Sequence, residues 1–157
     1  MRHKLRIGSG FSIRDWRLLF QAWLFLLEVD LALRLRPFPR VRAWATAGAP
    51  GPASDAEELQ RVERMVNCAA RHHLYPMRCL RRALVLQRLL WRRGIATELR
   101  LGVAREGEEL TAHAWLERDG LPVGEPGDVT EHFAPLAAVN RDLPAGRTDI
   151  LLGLEGR

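Results

Sequence analysis

The run from Tyr75 to Gly94 constrains the chain most. Pro76 stops any helix before it. Leu80, Ala83, Leu84, Leu86, Leu89 and Leu90 then recur at helical spacing, and Gly94 supplies a C-terminal stop. Cys79 therefore falls at or just before the first turn of a helix. Backbone N–H groups there lack intrahelical acceptors, and the helix dipole favours negative charge. A thiolate is negative, so the position favours a nucleophilic cysteine, and the neighbouring Arg78 acts in the same direction.

A cysteine nucleophile needs a base and a group that orients the base. The period changes after Gly94. Thr97–Val103 alternates as a strand, Arg105–Glu109 reads as a turn, Leu110–Glu117 is a second strand, and Leu121–Glu125 is a third. A helix followed by an antiparallel meander predicts an α+β fold. His113 lies in the second strand and suits the base, and Trp115 shares its face. Asp119, Glu125 and Asp128 are the candidate acids.

Strand geometry separates these acids. A two-residue type I′ turn at Asp119-Gly120 pairs Arg118 with Leu121 and turns Glu125 to the wrong face. A three-residue loop, Arg118-Asp119-Gly120 with a bulge at the glycine, sets His113 opposite Glu125. The expectation is the three-residue loop, with Glu125 as the orienting acid and Asp119 as a turn former.

The N-terminal part is helical and apolar. Asp15 to about Arg36 carries Trp16, Phe20, Trp23, Phe25 and many leucines, so this helix is buried on several sides or covers a partner. A face around Trp16, Phe20 and Trp23 is the expected docking surface. Arg36-Pro37-Phe38-Pro39 breaks the helix, and Ala45–Ala53 reads as a linker. Ser54 and Glu57 have capping-box spacing for a helix running to about His73, with Leu59, Val62, Val66, Ala69 and Ala70 as its stripe. Cys68 falls off that stripe and is read as incidental. His72-His73 are read as surface residues, since adjacent helical residues do not face one another. Residues 1–53 are thus expected to form a helix and linker, and 54–157 a catalytic core.

Bulk properties narrow the function. The 157 residues carry a net charge of +5, and Lys4 is the only lysine among 24 basic residues. The arginines are mixed with acids, which speaks for solvated faces rather than a nucleic-acid surface. Two cysteines without C-x-x-C spacing exclude a disulfide framework and a four-cysteine zinc site. No metal or cofactor is expected. The apolar run Leu18–Leu27 is too short to span a bilayer and no signal peptide is evident, so a cytoplasmic protein is expected, with peripheral membrane association as the alternative for the apolar helix.

Cys-Leu-Arg-Arg-Ala-Leu-Val-Leu-Gln-Arg-Leu-Leu-Trp-Arg-Arg-Gly-Ile, then Leu-Gly-Val, then Ala-His-Ala-Trp-Leu-Glu, Asp-Gly and Pro-Val-Gly-Glu-Pro, together resemble one family. It is that of the transglutaminase-like cysteine proteases of lasso-peptide biosynthesis, and the likeness covers roughly Ser54 to Pro126. The resemblance implies a transglutaminase/papain-like core in which the nucleophile helix packs on a small antiparallel sheet. It implies Cys79 as nucleophile and His113 as base. The family's acid is commonly an aspartate, where this chain has Glu125. It further implies a precursor peptide as substrate, a separate leader-recognition protein, and an ATP-using lasso cyclase as partners. A transglutaminase-like acyltransferase, a non-catalytic adaptor and an arginine-rich nucleic-acid binder are the competing readings.

Overall fold

The computed structural model describes residues 10–52, 55–106, 109–125 and 128–136. Helix α1 spans Ile13–Leu35. Ser12 and Asp15 close its N-terminus reciprocally: the Asp15 N–H donates to Ser12 Oγ and the Ser12 N–H to Asp15 Oδ2. Leu18, Ala22, Leu26, Val29 and Leu33 face the core. The opposite side leaves Ile13, Trp16, Phe20, Leu24, Leu27, Leu31 and Leu35 exposed. Trp23 does not belong to this outer face. It is partly buried against the core, and its ring stacks on His73 at 4.8 Å.

A second helix, α2, spans Phe38–Ala45, where the sequence suggested only a break. Proline ends α1 but suits the first turn of the next helix, where its missing N–H has no acceptor to lose. Pro37 is the cap, Pro39 sits in the first turn, and Phe38, Val41 and Ala45 are buried. The Ala/Gly/Pro stretch that follows lies against the helix bearing the cysteine. Arg88 Nη1 donates to the Ala47 carbonyl at 2.5 Å, and Trp91 Nε1 donates to that of Gly48 at 3.0 Å.

Helix α3 spans Ala56–Arg71. Its cap is Asp55, whose carboxylate accepts from the Glu58 N–H at 2.9 Å, so the capping pair is one residue later than the Ser54–Glu57 spacing suggested. Ser54 lies outside the described residues. Val62, Met65, Val66, Ala69 and Ala70 form the buried stripe. His73 is not a surface residue. It is held between Trp23 and Tyr75, and both its ring nitrogens are buried without a hydrogen bond.

Helix α4 spans Cys79–Trp91 and ends in a Schellman motif. The Ile95 N–H donates to the Leu90 carbonyl, the Gly94 N–H donates to that of Trp91, and Gly94 takes φ +70°. Eight of its residues are buried between α1, α3 and the sheet. Gln87 is one of them, and its Nε2 donates to the Thr97 carbonyl at 2.9 Å, which fixes the entry to the first strand.

Strands β1 (Glu98–Glu106), β2 (Glu109–Arg118), β3 (Leu121–Val123) and β4 (Ala134–Pro135) form an antiparallel sheet in the order β3-β2-β1-β4. A four-residue helix, α5, spans Val129–His132 before β4. Leu99, Leu101, Ala114, Leu116 and Val123 share one face and join the helical core. The fold is α+β, a helical N-terminal part leading into the helix that bears Cys79, which packs on a small antiparallel sheet.

One buried carboxylate ties the layers together. Asp30, only 3% exposed, accepts from Tyr75 Oη at 2.6 Å, Arg81 Nε at 2.6 Å and Arg34 Nε at 2.9 Å. Burial pushes its carboxyl upward, but these three donors together hold it below the ordinary aspartate value.

The hairpin turn differs from the expected three-residue loop. Arg118 pairs with Leu121, so the loop is Asp119-Gly120 alone, with φ of 53° and 77°. Two successive positive φ values define a type I′ turn, which Asp-Gly favours. The ladder ends at Val123, two residues earlier than the sequence pattern implied.

Candidate active site

The two-residue turn should carry Glu125 away from His113, since continued pairing would set it opposite Ala114. It does not, because Gly124 takes φ +71° and leads the chain off the sheet. Glu125 Oε2 then lies 3.4 Å from His113 Nε2. The acid expected from an incorrect register thus meets the histidine by a different route.

His113 also hydrogen-bonds Cys79. The bond to Cys79 is the largest influence on the imidazole, the bond to Glu125 is second, and burial opposes both. The pKa is raised from 6.5 to about 9. The structure therefore brings Cys79, His113 and Glu125 together. Asp119 sits at the turn tip with its side chain 88% exposed, and Asp128 is the residue before α5; the sequence also offered both as acids.

β3 pairs only with Leu116–Arg118, which leaves β2 without a neighbour on that side at His113 among the described residues. Aromatic rings wall the imidazole. Trp115 lies parallel to it at 6.1 Å, and Phe133 is 5.1 Å away. Gly102, the ladder partner of His113, makes room for both rings. A Cβ there would stand 2.8 Å from the Trp115 ring and 2.8 Å from Phe133 Cβ. Trp115 is itself fixed by its Nε1, which donates to Glu117 at 3.1 Å, and Glu117 accepts from Arg100 at 2.8 Å.

A small cavity of about 20 Å³ opens beside the cysteine. Glu63, Asn67, Arg82, Trp115 and Glu125 help to line it, together with Cys79. The sequence reading did not single out Glu63, Asn67 or Arg82. Glu63 and Asn67 stand at i, i+4 on α3, and Arg82 reaches the cavity from α4. Arg82 Nη2 donates to Asn67 at 2.8 Å. Burial raises the Glu63 carboxyl above the ordinary value, and the Glu125 charge adds to the effect. Its Cγ and Cδ lie 3.0 Å from where a Gly124 Cβ would stand.

The remaining cysteine has a different setting. Burial pushes the Cys68 thiol up, against a weaker opposing charge from Arg71. No group of three or more metal-ligating side chains occurs among the described residues. None of the described helices is long and apolar enough to cross a membrane.

No curated protein and no solved structure matches the chain. A family model does: that of the transglutaminase-like superfamily, over residues 24–138, a span that takes in the helix bearing Cys79, the strand bearing His113 and Glu125. With that match over most of its length, the chain belongs to the transglutaminase-like superfamily.

Proposed function

We propose that the protein is a cysteine peptidase that removes the leader from a ribosomally made lasso-peptide precursor, acting with a separate leader-binding protein and a cyclase. The observation that carries this reading is the imidazole bonded to both Cys79 and Glu125 and held protonated to about pH 9. An imidazolium held beside the sulfur can give its proton to a leaving group.

The Cys79 thiolate attacks the carbonyl carbon of the last leader residue, and the carbonyl oxygen takes up the negative charge. Cys79 is the first residue of α4, and the positive end of the helix dipole there favours that charge. The C–N bond breaks as imidazolium His113 gives its proton to the leaving amine. Neutral His113 then takes a proton from water, the hydroxide attacks the thioester, and Cys79 leaves as thiolate. Glu125 holds the ring in place and stabilises its positive form. Trp115 and Phe133 shield one side from solvent. The products are a leader carboxylate and a core peptide with a free amine, the group that an ATP-using cyclase would acylate.

The test is mass spectrometry of a precursor peptide incubated with the protein and its leader-binding partner, beside Cys79→Ala. Leader loss with the parent and none with the variant is the expected result. Incorporation of an added amine in place of water would instead assign an acyltransferase. No reaction from a folded, partner-bound protein would favour an adaptor.

A further inference from the structure

The active site leaves the far side of the molecule unexplained. There the outer stripe of α1 steps by three or four residues from Ile13 to Leu35, about 33 Å at helical rise. Beside its N-terminal half runs a groove of about 670 Å³, bounded by α1, the start of α3 and the end of α4. Its apolar lining includes Phe20 and Leu24, which also belong to the stripe.

The groove is strongly basic. Arg61 and Arg93 are paired with Glu58, and Arg61 also with Asp15. Arg14, Arg17 and Arg92 line it as well, are exposed, and make no ion pair among the described residues. An apolar ridge of helical period with unpaired cations along one flank has a definite complement. We propose that this groove binds an amphipathic helix of another polypeptide, one with an acidic flank against Arg14, Arg17 and Arg92 and an apolar face on Phe20 and Leu24.

Charge argues against a second copy of the chain. Antiparallel pairing of two α1 helices about Leu24 would set Arg14 beside Arg34, and parallel pairing would set each arginine against its own copy. Of the acids in α1, Asp15 is paired with Arg61 and Asp30 is buried, so only Glu28 is left exposed to answer them. The leucine-rich stripe argues against nucleic acid, whose bases stack on aromatic and guanidinium planes rather than on aliphatic chains. The inference does not depend on the peptidase reading.

The test uses the full chain and a labelled peptide of about 18 residues, five helical turns, with leucine on one face and glutamate on the other. A second peptide carries lysine for glutamate. Fluorescence anisotropy should show the acidic peptide binding at least tenfold tighter than the basic one, more weakly as salt rises. The double variant Arg17→Glu/Arg92→Glu should lose at least tenfold in affinity, while the rate of Cys79 alkylation stays unchanged and reports an intact fold. Equal binding of both peptides, or none, would overturn the proposal. So would a doubled solution mass that Phe20→Ser returns to monomer, which would give the face to a second copy. Stoichiometric binding of an oligonucleotide, lost in the same double variant, would give it to nucleic acid.

Discussion

His113 Nε2 and Glu125 Oε2 stand 3.4 Å apart although their residues are not partners in the β-ladder. The contact depends on one left-handed residue, Gly124. The adjoining Glu63 side chain closes over that glycine, so the site is sensitive to a position that carries no side chain at all.

Gly124→Ala should therefore cost reactivity more than stability. Forcing a Cβ onto a left-handed residue costs roughly 1–2 kcal/mol, and this Cβ would also press on Glu63. Gly120→Ala is the control, since φ is +77° there with nothing within 4 Å of the added carbon. Both variants should lose similar stability in urea. Only Gly124→Ala should slow alkylation of Cys79 by iodoacetamide and lower the His113 pKa.

The raised His113 pKa makes two predictions. Titrated by NMR, the imidazole should stay protonated to about pH 9 in the parent. Its pKa should fall in Glu125→Gln and fall further in Cys79→Ala, because the bond to Cys79 is the larger influence. The folded value lies above the unfolded one, so protonation contributes stability that is fully present below pH 6.5. That contribution is lost as pH rises through about 9. Urea midpoints should drop over this window in the parent and drop less in His113→Gln.

Asp30→Ala should be among the most destabilising substitutions. It removes one partner of Arg81 and the acceptor of Tyr75, and breaking a buried pair costs about 3–5 kcal/mol. Asp30 has a lowered carboxyl pKa, so its contribution is present above the unfolded aspartate value and lost as pH falls through the folded one. Acid unfolding should begin at higher pH in Tyr75→Phe than in the parent, because the substitution removes one of the donors holding that carboxylate.

Gly102→Ala should disturb the aromatic wall. The new carbon would meet Trp115 and Phe133, whose rings stand beside His113. Strand β1 can remain paired while those rings move. Tryptophan fluorescence should shift and Cys79 alkylation should slow, with a smaller change in the urea midpoint than Asp30→Ala gives.

The elements that bear the chemistry were legible because each obeys one strong local rule. Pro76 and Gly94 bracket the helix of Cys79, and alternation marks the strand of His113. Four features were not. Helix α2 was hidden because a proline pair reads as a stop, although the second proline fits a first turn. The hairpin departs from the three-residue loop because Asp-Gly strongly favours a type I′ turn; the turn follows its local chemistry, and Gly124 makes the contact. Trp23 and His73 looked like surface residues by spacing, but they stack on each other, and contacts between distant segments leave no period in a sequence. The same holds for Asp30, which lies just beyond the apolar run Leu18–Leu27 and is buried among donors from 34, 75 and 81.

That buried carboxylate has a geometric consequence. Tyr75 lies four residues before the sulfur-bearing residue and Arg81 two after it, and both are bonded at 2.6 Å to the helix whose outer side is exposed. Nothing in this connection can pivot without breaking a charged contact. The segments on both sides of Cys79 are thereby fastened to α1, so the outer side of that helix is held at a set separation from the thiol.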